Sequence, residues 1–233
     1  MTDWEPLAGR LAHEALAEGD PTAWFDRLYQ AGADGGVDMP WDRQAPQPLL
    51  AAWAAGNGLS GAGSPEAGQA GAGRRAVVVG CGLGADAEFL AGLGFATTGF
   101  DISETAIRTN RARRPDSPVH YTTADLFALP PEWHRAFDLV VEIFTVQALP
   151  GELRAGAVTG VRELVAPGGT LLVIARSAEQ PPAEGDGPPW PLVRADLDLF
   201  TADDLRERRV ERAGDTGRPS RGSCWVAEFE RPR

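Results

Sequence analysis

The alternation of apolar and polar residues divides this chain into a helical N-terminal part and a longer part with repeated strands. Between residues 5 and 30, apolar residues recur at helical spacing among charged ones, and residues 49–55 form another short helical segment. From residue 74 onward, apolar and β-branched runs alternate with amphipathic segments. This alternation predicts an α/β fold with a mostly parallel sheet and helices on both faces.

The apolar and amphipathic runs in the longer part predict its strands and helices. The predicted strands are 76–80, 96–100, 119–122, 137–141, 170–175 and 223–229, of which 119–122 has the weakest pattern. The predicted helices are 84–92, 103–113 and 151–165, and a capping-box-like sequence at 201–204 predicts another helix through residue 208. Residues 167–169, Pro-Gly-Gly, predict a tight turn into the strand at 170–175.

A segment rich in glycine, alanine and serine separates the two parts. Residues 56–73 contain little else, and such a composition predicts a flexible linker. The predicted organisation is therefore an N-terminal helical region at 1–55, a linker at 56–73 and an α/β core at 74–233.

Charge and cysteine content narrow the classes of partner. The formal net charge is −11 and all basic residues are arginines, so nucleic acid is an unfavourable partner and a lysine Schiff base is excluded. No apolar run is long enough to span a membrane, and no apolar signal segment opens the chain. Two widely spaced cysteines, Cys81 and Cys224, indicate neither a metal site nor a disulfide framework, and the expected location is the cytoplasm. The sequence does not indicate an oligomeric state.

The candidate chemistry begins where the first predicted strand of the core ends. An apolar run at 76–79 leads into alternating glycines at Gly80, Gly82 and Gly84, and a helix follows at once. The next predicted strand delivers Asp101 about 20 residues later, the spacing at which a βαβ unit holds a nucleoside. Glycines suit a tight turn against which a ligand lies, and a carboxylate can accept from both ribose hydroxyls.

Three further motifs follow in order. The glycine turn alone also satisfies the relaxed dinucleotide pattern of nicotinamide and flavin oxidoreductases. However, residues 123–127 (Thr-Ala-Asp-Leu-Phe), 137–142 (Phe-Asp-Leu-Val-Val-Glu) and 164–172 (Leu-Val-Ala-Pro-Gly-Gly-Thr-Leu-Leu) resemble the later motifs of class I S-adenosylmethionine-dependent methyltransferases. The resemblance covers about 74–233 and implies a Rossmann-like fold with a seven-stranded sheet and S-adenosyl-L-methionine as cofactor.

A narrower resemblance involves both ends of the chain. Trp24 lies in a predicted helix, Trp41 lies in Pro-Trp-Asp at 40–42, and Gly-Pro-Pro-Trp at 187–190 follows the core motifs. This layout is similar to the thiopurine and halide/thiol methyltransferase family. The resemblance implies an N-terminal helical lid over the cofactor and a loop at 187–190 over the acceptor. Aromatic faces would also stabilise a sulfonium cation, by about 0.5–2 kcal/mol.

The resemblance implies site residues, position by position. The implied cofactor-binding residues are Trp24, Trp41, Gly80, Gly82, Gly84, Asp101, Ile102, Asp125, Leu126, Glu142 and Ile143. Glu142, at the end of the fourth strand, is also the candidate catalytic base. The chain departs from the family where Leu28 replaces a second lid tryptophan and Ile143 replaces an aromatic or polar residue.

Simpler interpretations of these residues stay open at this point. Trp24 and Trp41 could serve packing alone, Asp125 could cap a turn, and Glu142 could be a structural acid. Gln147 is equally compatible with the acceptor pocket and with the surface.

The expected activity is in-line methyl transfer to a small-molecule acceptor, with a thiol favoured. A thiol is partly ionised near neutral pH and needs little help from a base, whereas a hydroxyl needs a real one. The expected setting is secondary metabolism. The alternatives are O- or N-methylation of a small metabolite, a nicotinamide-dependent reductase, and a non-catalytic regulatory protein that binds the cofactor.

Overall fold

A seven-stranded sheet forms the centre of the protein, seen in a computed structural model that describes residues 4–39, 41–59, 70–183, 186–202, 205–214 and 222–233. The strands are β1 Arg75–Val79, β2 Ala96–Asp101, β3 His120–Thr123, β4 Phe137–Ile143, β5 Val165–Arg176, β6 Arg206–Gly214 and β7 Ser223–Glu230. The helices are α1 Trp4–Ala17, α2 Ala23–Ala33, α3 Pro48–Gly56, α4 Ala85–Gly92, α5 Glu104–Arg113, α6 Gly151–Glu163 and α7 Arg194–Asp198. This is the Rossmann-like fold that the sequence predicts.

The strand order places the carboxyl ends of β1 and β4 side by side. The order across the sheet is β3-β2-β1-β4-β5-β7-β6, with β1 to β5 parallel and β7 antiparallel to both β5 and β6. Because the chain turns to opposite sides of β1, a crevice opens at the ends of these strands, where ligands bind in open α/β sheets. The glycine turn leaves β1 at this point.

The helix predicted from 201 through 208 is wrong. Within the described residues, Leu199–Thr201 form a single 3₁₀ turn and the chain enters strand β6 at Arg206. The polar composition of this edge strand gives no strand pattern in the sequence. Its hydrogen bonds are made with β7, and Arg208 forms ion pairs with Glu228 and Glu230 of that strand. Pairing with a distant strand thus overrides the local capping pattern.

The tight turn predicted at 167–169 is instead a bulge inside a longer strand. Strand β5 begins at Val165, which pairs with Phe137, whereas Leu139 pairs with Thr170. The extra residues between these pairs are accommodated by Gly168, whose φ is +77°. The backbone N–H of Gly168 donates to the carbonyl of Arg231, so the bulge is tied to the C-terminal segment.

Apolar side chains fill both faces of the sheet. One core cluster joins β4, β5 and β7 to α6 and includes Phe137, Val158 and Phe229. The other joins the opposite face to α4 and α3 and includes Leu90 and Leu50. Helix α3 therefore packs with the sheet.

Helices α1 and α2 form a separate small cluster. It contains Ala8, Ala12, Ala15, Trp24, Leu28 and Val37. These two helices cover the crevice at the strand ends. The predicted linker falls mainly on residues 60–69, which lie outside the described residues.

Candidate functional site

A cleft with a volume of about 240 Å³ lies between helices α1 and α2 and the carboxyl ends of the strands. Every site residue expected from the sequence lines it except Glu142: Trp24, Trp41, Gly80, Gly82, Gly84, Asp101, Ile102, Asp125, Leu126 and Ile143. The topology thus brings together residues that are far apart in the chain.

The glycine turn at the base of the cleft has no room for side chains. Gly80 and Gly82 have φ values of +56° and +52°, which other residues adopt only with strain. A Cβ at Gly80 would lie 2.5 Å from the Thr145 hydroxyl oxygen, and one at Gly82 would lie 2.9 Å from the Tyr29 hydroxyl oxygen. The turn therefore presents bare backbone on both sides.

Asp101 fixes this turn from the end of β2. Its Oδ2 accepts a hydrogen bond from the Gly82 N–H at 2.9 Å, and its Oδ1 accepts from the Ser103 N–H at 2.9 Å. Burial raises the pKa of Asp101 to about 6, although the backbone N–H groups favour the carboxylate. Each oxygen keeps a further lone pair with which it can accept a hydrogen bond.

An aromatic wall faces the glycine turn. The ring of Trp41 makes edge-to-face contacts with Trp4 and Tyr29, at centroid distances of 5.2 and 6.0 Å, and Trp24 stacks on Phe25 at 4.0 Å. Trp24 is only 3% exposed, so it both packs in the helical cluster and borders the cleft.

Trp4, Phe25 and Tyr29 also line the cleft, although they were not expected there from the sequence. The spacing of Phe25 and Tyr29, four residues apart, was a signal that could have placed them on one face of α2. Trp4 gave no comparable signal.

Two polar contacts hold helix α2 and the following loop against helix α5. Asp26 accepts hydrogen bonds from the Ser103 hydroxyl at 2.6 Å and from the Thr105 N–H at 2.9 Å. Burial opposes ionisation of Asp26, but these hydrogen bonds outweigh it and lower its pKa. Arg113 forms a bidentate ion pair with Asp42 at 2.8 and 3.0 Å. Together these contacts position the aromatic wall.

Asp125 and Leu126 follow strand β3 at one end of the cleft. The Asp125 carboxylate caps its own turn by accepting from the Phe127 N–H at 2.9 Å. Asp125 therefore caps the turn that follows β3, and it also lines the cleft. Phe127 is 43% exposed at the same end, which makes it one of the few large apolar side chains open to solvent.

The opposite end of the cleft is bounded by the turn after β4 and by the loop that contains Pro188 and Pro189. Phe144 has a φ of +63°, and the Arg176 guanidinium lies 5.5 Å from its ring centre. Gln147 is only 4% exposed, so its alternative placement at the surface is wrong. The side-chain oxygen of Gln147 accepts a hydrogen bond from the backbone N–H of Arg176, and its backbone carbonyl accepts one from the backbone N–H of Trp190 at 2.7 Å.

Glu142 does not line the cleft, contrary to its expected place beside the acceptor. It is fully buried, and its Oε1 accepts from the N–H groups of Thr145 at 2.7 Å and Val146 at 3.0 Å. Burial raises its pKa to about 7. Ile143, the next residue along β4, lines the cleft, whereas the Glu142 carboxyl group turns to the N–H groups of Thr145 and Val146.

In the described part of the chain, Cys81 is not a reactive nucleophile and no metal site is formed. Burial holds the pKa of the Cys81 thiol well above its usual value, so it stays protonated. Within the described residues, no cluster of histidine, cysteine or carboxylate side chains could hold a metal ion, and no histidine lines the cleft.

Comparisons with known proteins agree with this geometry. Residues 77–171 match the methyltransferase domain family. The chain is 27% identical over 184 residues to "Probable thiol methyltransferase 2" of Arabidopsis thaliana, covering 77% of this chain and 71% of the relative. It is 28% identical over 158 residues to the 2-heptyl-1-hydroxyquinolin-4(1H)-one methyltransferase of Mycobacteroides abscessus, covering 64% and 68%.

Solved structures share the fold. The 1,6-didemethyltoxoflavin-N1-methyltransferase of Burkholderia thailandensis, solved with 1,6-didemethyltoxoflavin and S-adenosylhomocysteine, superposes with a TM-score of 0.67. The superposition covers 95% of this chain and 91% of that protein at 16% identity. No helix in the described part of the chain is both long and apolar enough to cross a bilayer.

Proposed function

We propose that this chain, which is a class I S-adenosylmethionine-dependent methyltransferase, methylates a small molecule and that the acceptor atom is a thiol sulfur. The observation that carries the thiol assignment is the composition of the acceptor end of the cleft. Among its described lining residues, Phe144, Thr145, Gln147, Pro188 and Pro189 provide neither a carboxylate nor an imidazole. An acceptor that ionises by itself suits such a site.

The cleft fits S-adenosyl-L-methionine at its glycine end. A side chain at Gly80 or Gly82 would collide with Thr145 or Tyr29, so the turn is bare backbone, and we assign this backbone to the methionine part of the cofactor. Asp101 would accept from the ribose hydroxyls, with Ile102 beside it, and Asp125 with Leu126 would flank the adenine. Trp24 and Trp41 would close over the cofactor, with Gly84 at the start of α4 completing the turn.

The cofactor supplies an activated methyl group, so the protein's task is alignment. The aromatic wall of Trp4, Tyr29 and Trp41 would exclude water from the glycine turn and would offer π faces to the sulfonium cation. The turn after β4 and the Pro188–Pro189 loop would hold the acceptor on the opposite side. No residue that we place there removes a proton from the acceptor.

The relatives support a small-molecule acceptor and give a second candidate function. One is named as a thiol methyltransferase, while others act on a hydroxyquinolone or at the N1 of a toxoflavin precursor. O- or N-methylation of an acidic heteroaromatic acceptor is therefore the second candidate, and it shares the requirement that the acceptor ionise readily. Nucleic acid is not a proposed partner, because the net charge is −11. The proposed location is the cytoplasm, because the chain has only two cysteines, Cys81 and Cys224, and they are widely spaced.

Three acceptors that share one aromatic ring and differ only in the reacting atom test the thiol assignment. The enzyme is incubated with methyl-labelled S-adenosylmethionine and with an aromatic thiol, the phenol and the amine that share its ring. General base catalysis contributes about 100-fold or more, and the described residues that we place at the acceptor end include neither a carboxylate nor an imidazole. We therefore expect the thiol to react at least about 100-fold faster than the phenol. Faster labelling of the phenol or the amine would replace the thiol assignment with the second candidate. Absence of transfer to any member would contradict both.

A further inference from the structure

The turn after strand β4 is organised by a carboxylate that lies outside the cleft. Glu142 is fully buried, and one of its oxygens, Oε1, receives both the Thr145 and Val146 N–H groups at 2.7 and 3.0 Å. Within the described residues its other oxygen, Oε2, has no hydrogen-bond partner. The carboxyl group thus acts as a cap on the 3₁₀ turn Val146–Ala148.

This cap encloses a residue with a strained backbone. Phe144 lies between Glu142 and the two capped N–H groups, and its φ of +63° is rare for a bulky residue. Such a conformation is strained and persists only where surrounding contacts fix it. The contacts here are the Phe144 N–H to the Ile174 carbonyl at 2.9 Å, the Thr145 hydroxyl to the Val79 carbonyl at 3.0 Å, and the Glu142 cap.

The same turn supports the loop across the cleft. The Gln147 carbonyl accepts from the Trp190 N–H at 2.7 Å, directly after Pro188 and Pro189. Phe144, Thr145, Pro188 and Pro189 all line the cleft. A change in the capped turn would therefore move both walls of the acceptor end.

We propose that Glu142 is a positioning residue that sets the acceptor end of the cleft by holding Phe144 in its left-handed conformation. Glu142 does not act as the base. The proposal rests on the function proposed above, because it assigns the Phe144 end of the cleft to the acceptor. The positioning role requires only an oxygen that accepts hydrogen bonds at the position of Oε1. An amide supplies such an oxygen as well as a carboxyl group does.

Two substitutions distinguish a positioning role of Glu142 from a role as general base. Glu142→Gln keeps the oxygen acceptor and removes the ability to take a proton, while Glu142→Met keeps the length of the side chain and removes the acceptor. We expect Glu142→Gln to keep kcat/KM for the acceptor within about fivefold of wild type, and Glu142→Met to lower it about 100-fold, as a misplacement of about 1 Å does. Both variants should bind S-adenosylhomocysteine with wild-type affinity.

Hydrogen exchange gives a readout that does not depend on turnover. In the wild-type protein and in Glu142→Gln, the amides of Thr145 and Val146 should exchange slowly, whereas Glu142→Met should expose them. A Phe144→Ala variant should lose acceptor kcat/KM while these amides remain protected, since Glu142 acts through Phe144. Thermal unfolding of each variant shows that the fold is retained.

The results that would overturn the positioning role differ from those that would overturn the proposed function. Loss of activity in Glu142→Gln to the level of Glu142→Met would show that a titrating group is needed and would overturn the positioning role. Unchanged acceptor kinetics in Glu142→Met would overturn it as well. Failure of the proposed function would instead appear as absence of methyl transfer by the wild-type enzyme, with the amide protection at Thr145 and Val146 still dependent on residue 142.

Discussion

At the scale of single residues, two buried carboxyl groups shape the cleft by accepting hydrogen bonds from the backbone. Asp101 receives the Gly82 and Ser103 N–H groups, and Glu142 receives those of Thr145 and Val146. Burial raises the pKa of Asp101 to about 6 and that of Glu142 to about 7, from ordinary values of 3.8 and 4.5. Near pH 7 Asp101 is therefore mostly ionised and Glu142 is divided between its two protonation states, while both carboxyl groups hold the turns after β2 and β4.

The raised pKa of Glu142 has a consequence for stability. Between pH 4.5 and 7 the folded protein binds more protons at this site than the unfolded chain, so the contribution of Glu142 is most favourable at low pH and is lost as pH rises through about 7. We expect the free energy of unfolding of wild type, relative to Glu142→Gln, to fall by about 2–3 kcal/mol between pH 5 and pH 8. Urea unfolding of both proteins at the two pH values measures this difference. An equal pH dependence in both would show that Glu142 titrates normally in the folded protein.

At the scale of elements, the N-terminal helices are attached to the core through the start of helix α5. Ser103 caps this helix with its own hydroxyl, which accepts from the Ala106 N–H, and Asp26 of α2 adds a second cap from outside by accepting from the Thr105 N–H. Asp26 also accepts from the Ser103 hydroxyl, so one side chain joins two elements. The aromatic wall over the cleft depends on this junction.

Removal of the Asp26 cap should loosen the wall without unfolding the core. Loss of a helix cap costs about 0.5–2 kcal/mol, so we expect Asp26→Ala to weaken the binding of S-adenosylhomocysteine by about three- to tenfold. Tryptophan fluorescence should report the change, because Trp4 and Trp41 lie in the wall. Glu14→Ala is the matched control, since Glu14 is an exposed α1 carboxylate paired with Arg10 at 4.0 Å. Equal affinity of the two variants would show that Asp26 does not hold the wall.

The elements also show which parts of the fold follow from sequence alone. The unit β1–α4–β2 with its glycine turn is local, and its apolar runs, glycines and cap residue agree with one another, so its prediction is confirmed. Strand β6 is polar and lies at an edge, and its conformation depends on pairing with β7. A local pattern cannot contain that information, which is why a helix was predicted there.

At the scale of the whole molecule, the same division applies to the site. The glycines after β1 and Asp101 after β2 were expected from the βαβ pattern, and Asp125 and Leu126 after β3 were expected from the resemblance to methyltransferases. Parallel strands bring all of them to one edge of the sheet. Glu142 does not line the cleft, because its carboxyl group accepts from the N–H groups of Thr145 and Val146, and the sequence does not specify these contacts. The spacing of Phe25 and Tyr29 places them on one face of α2, but this face and Trp4 reach the cleft only through the packing of α1 and α2 over the sheet, which is a long-range arrangement.

The central claim is that the bare backbone at Gly82 and the Asp101 carboxylate together hold the adenosyl group, and calorimetric titration with S-adenosylhomocysteine tests it most directly. Hydrogen bonds to charged groups contribute about 1.5–3 kcal/mol, so Asp101→Ala should bind at least about tenfold more weakly than wild type. Asp116→Ala, which removes an exposed carboxylate outside the cleft, should bind like wild type. No binding to the wild-type protein, or equal affinity of wild type and Asp101→Ala, would contradict the account.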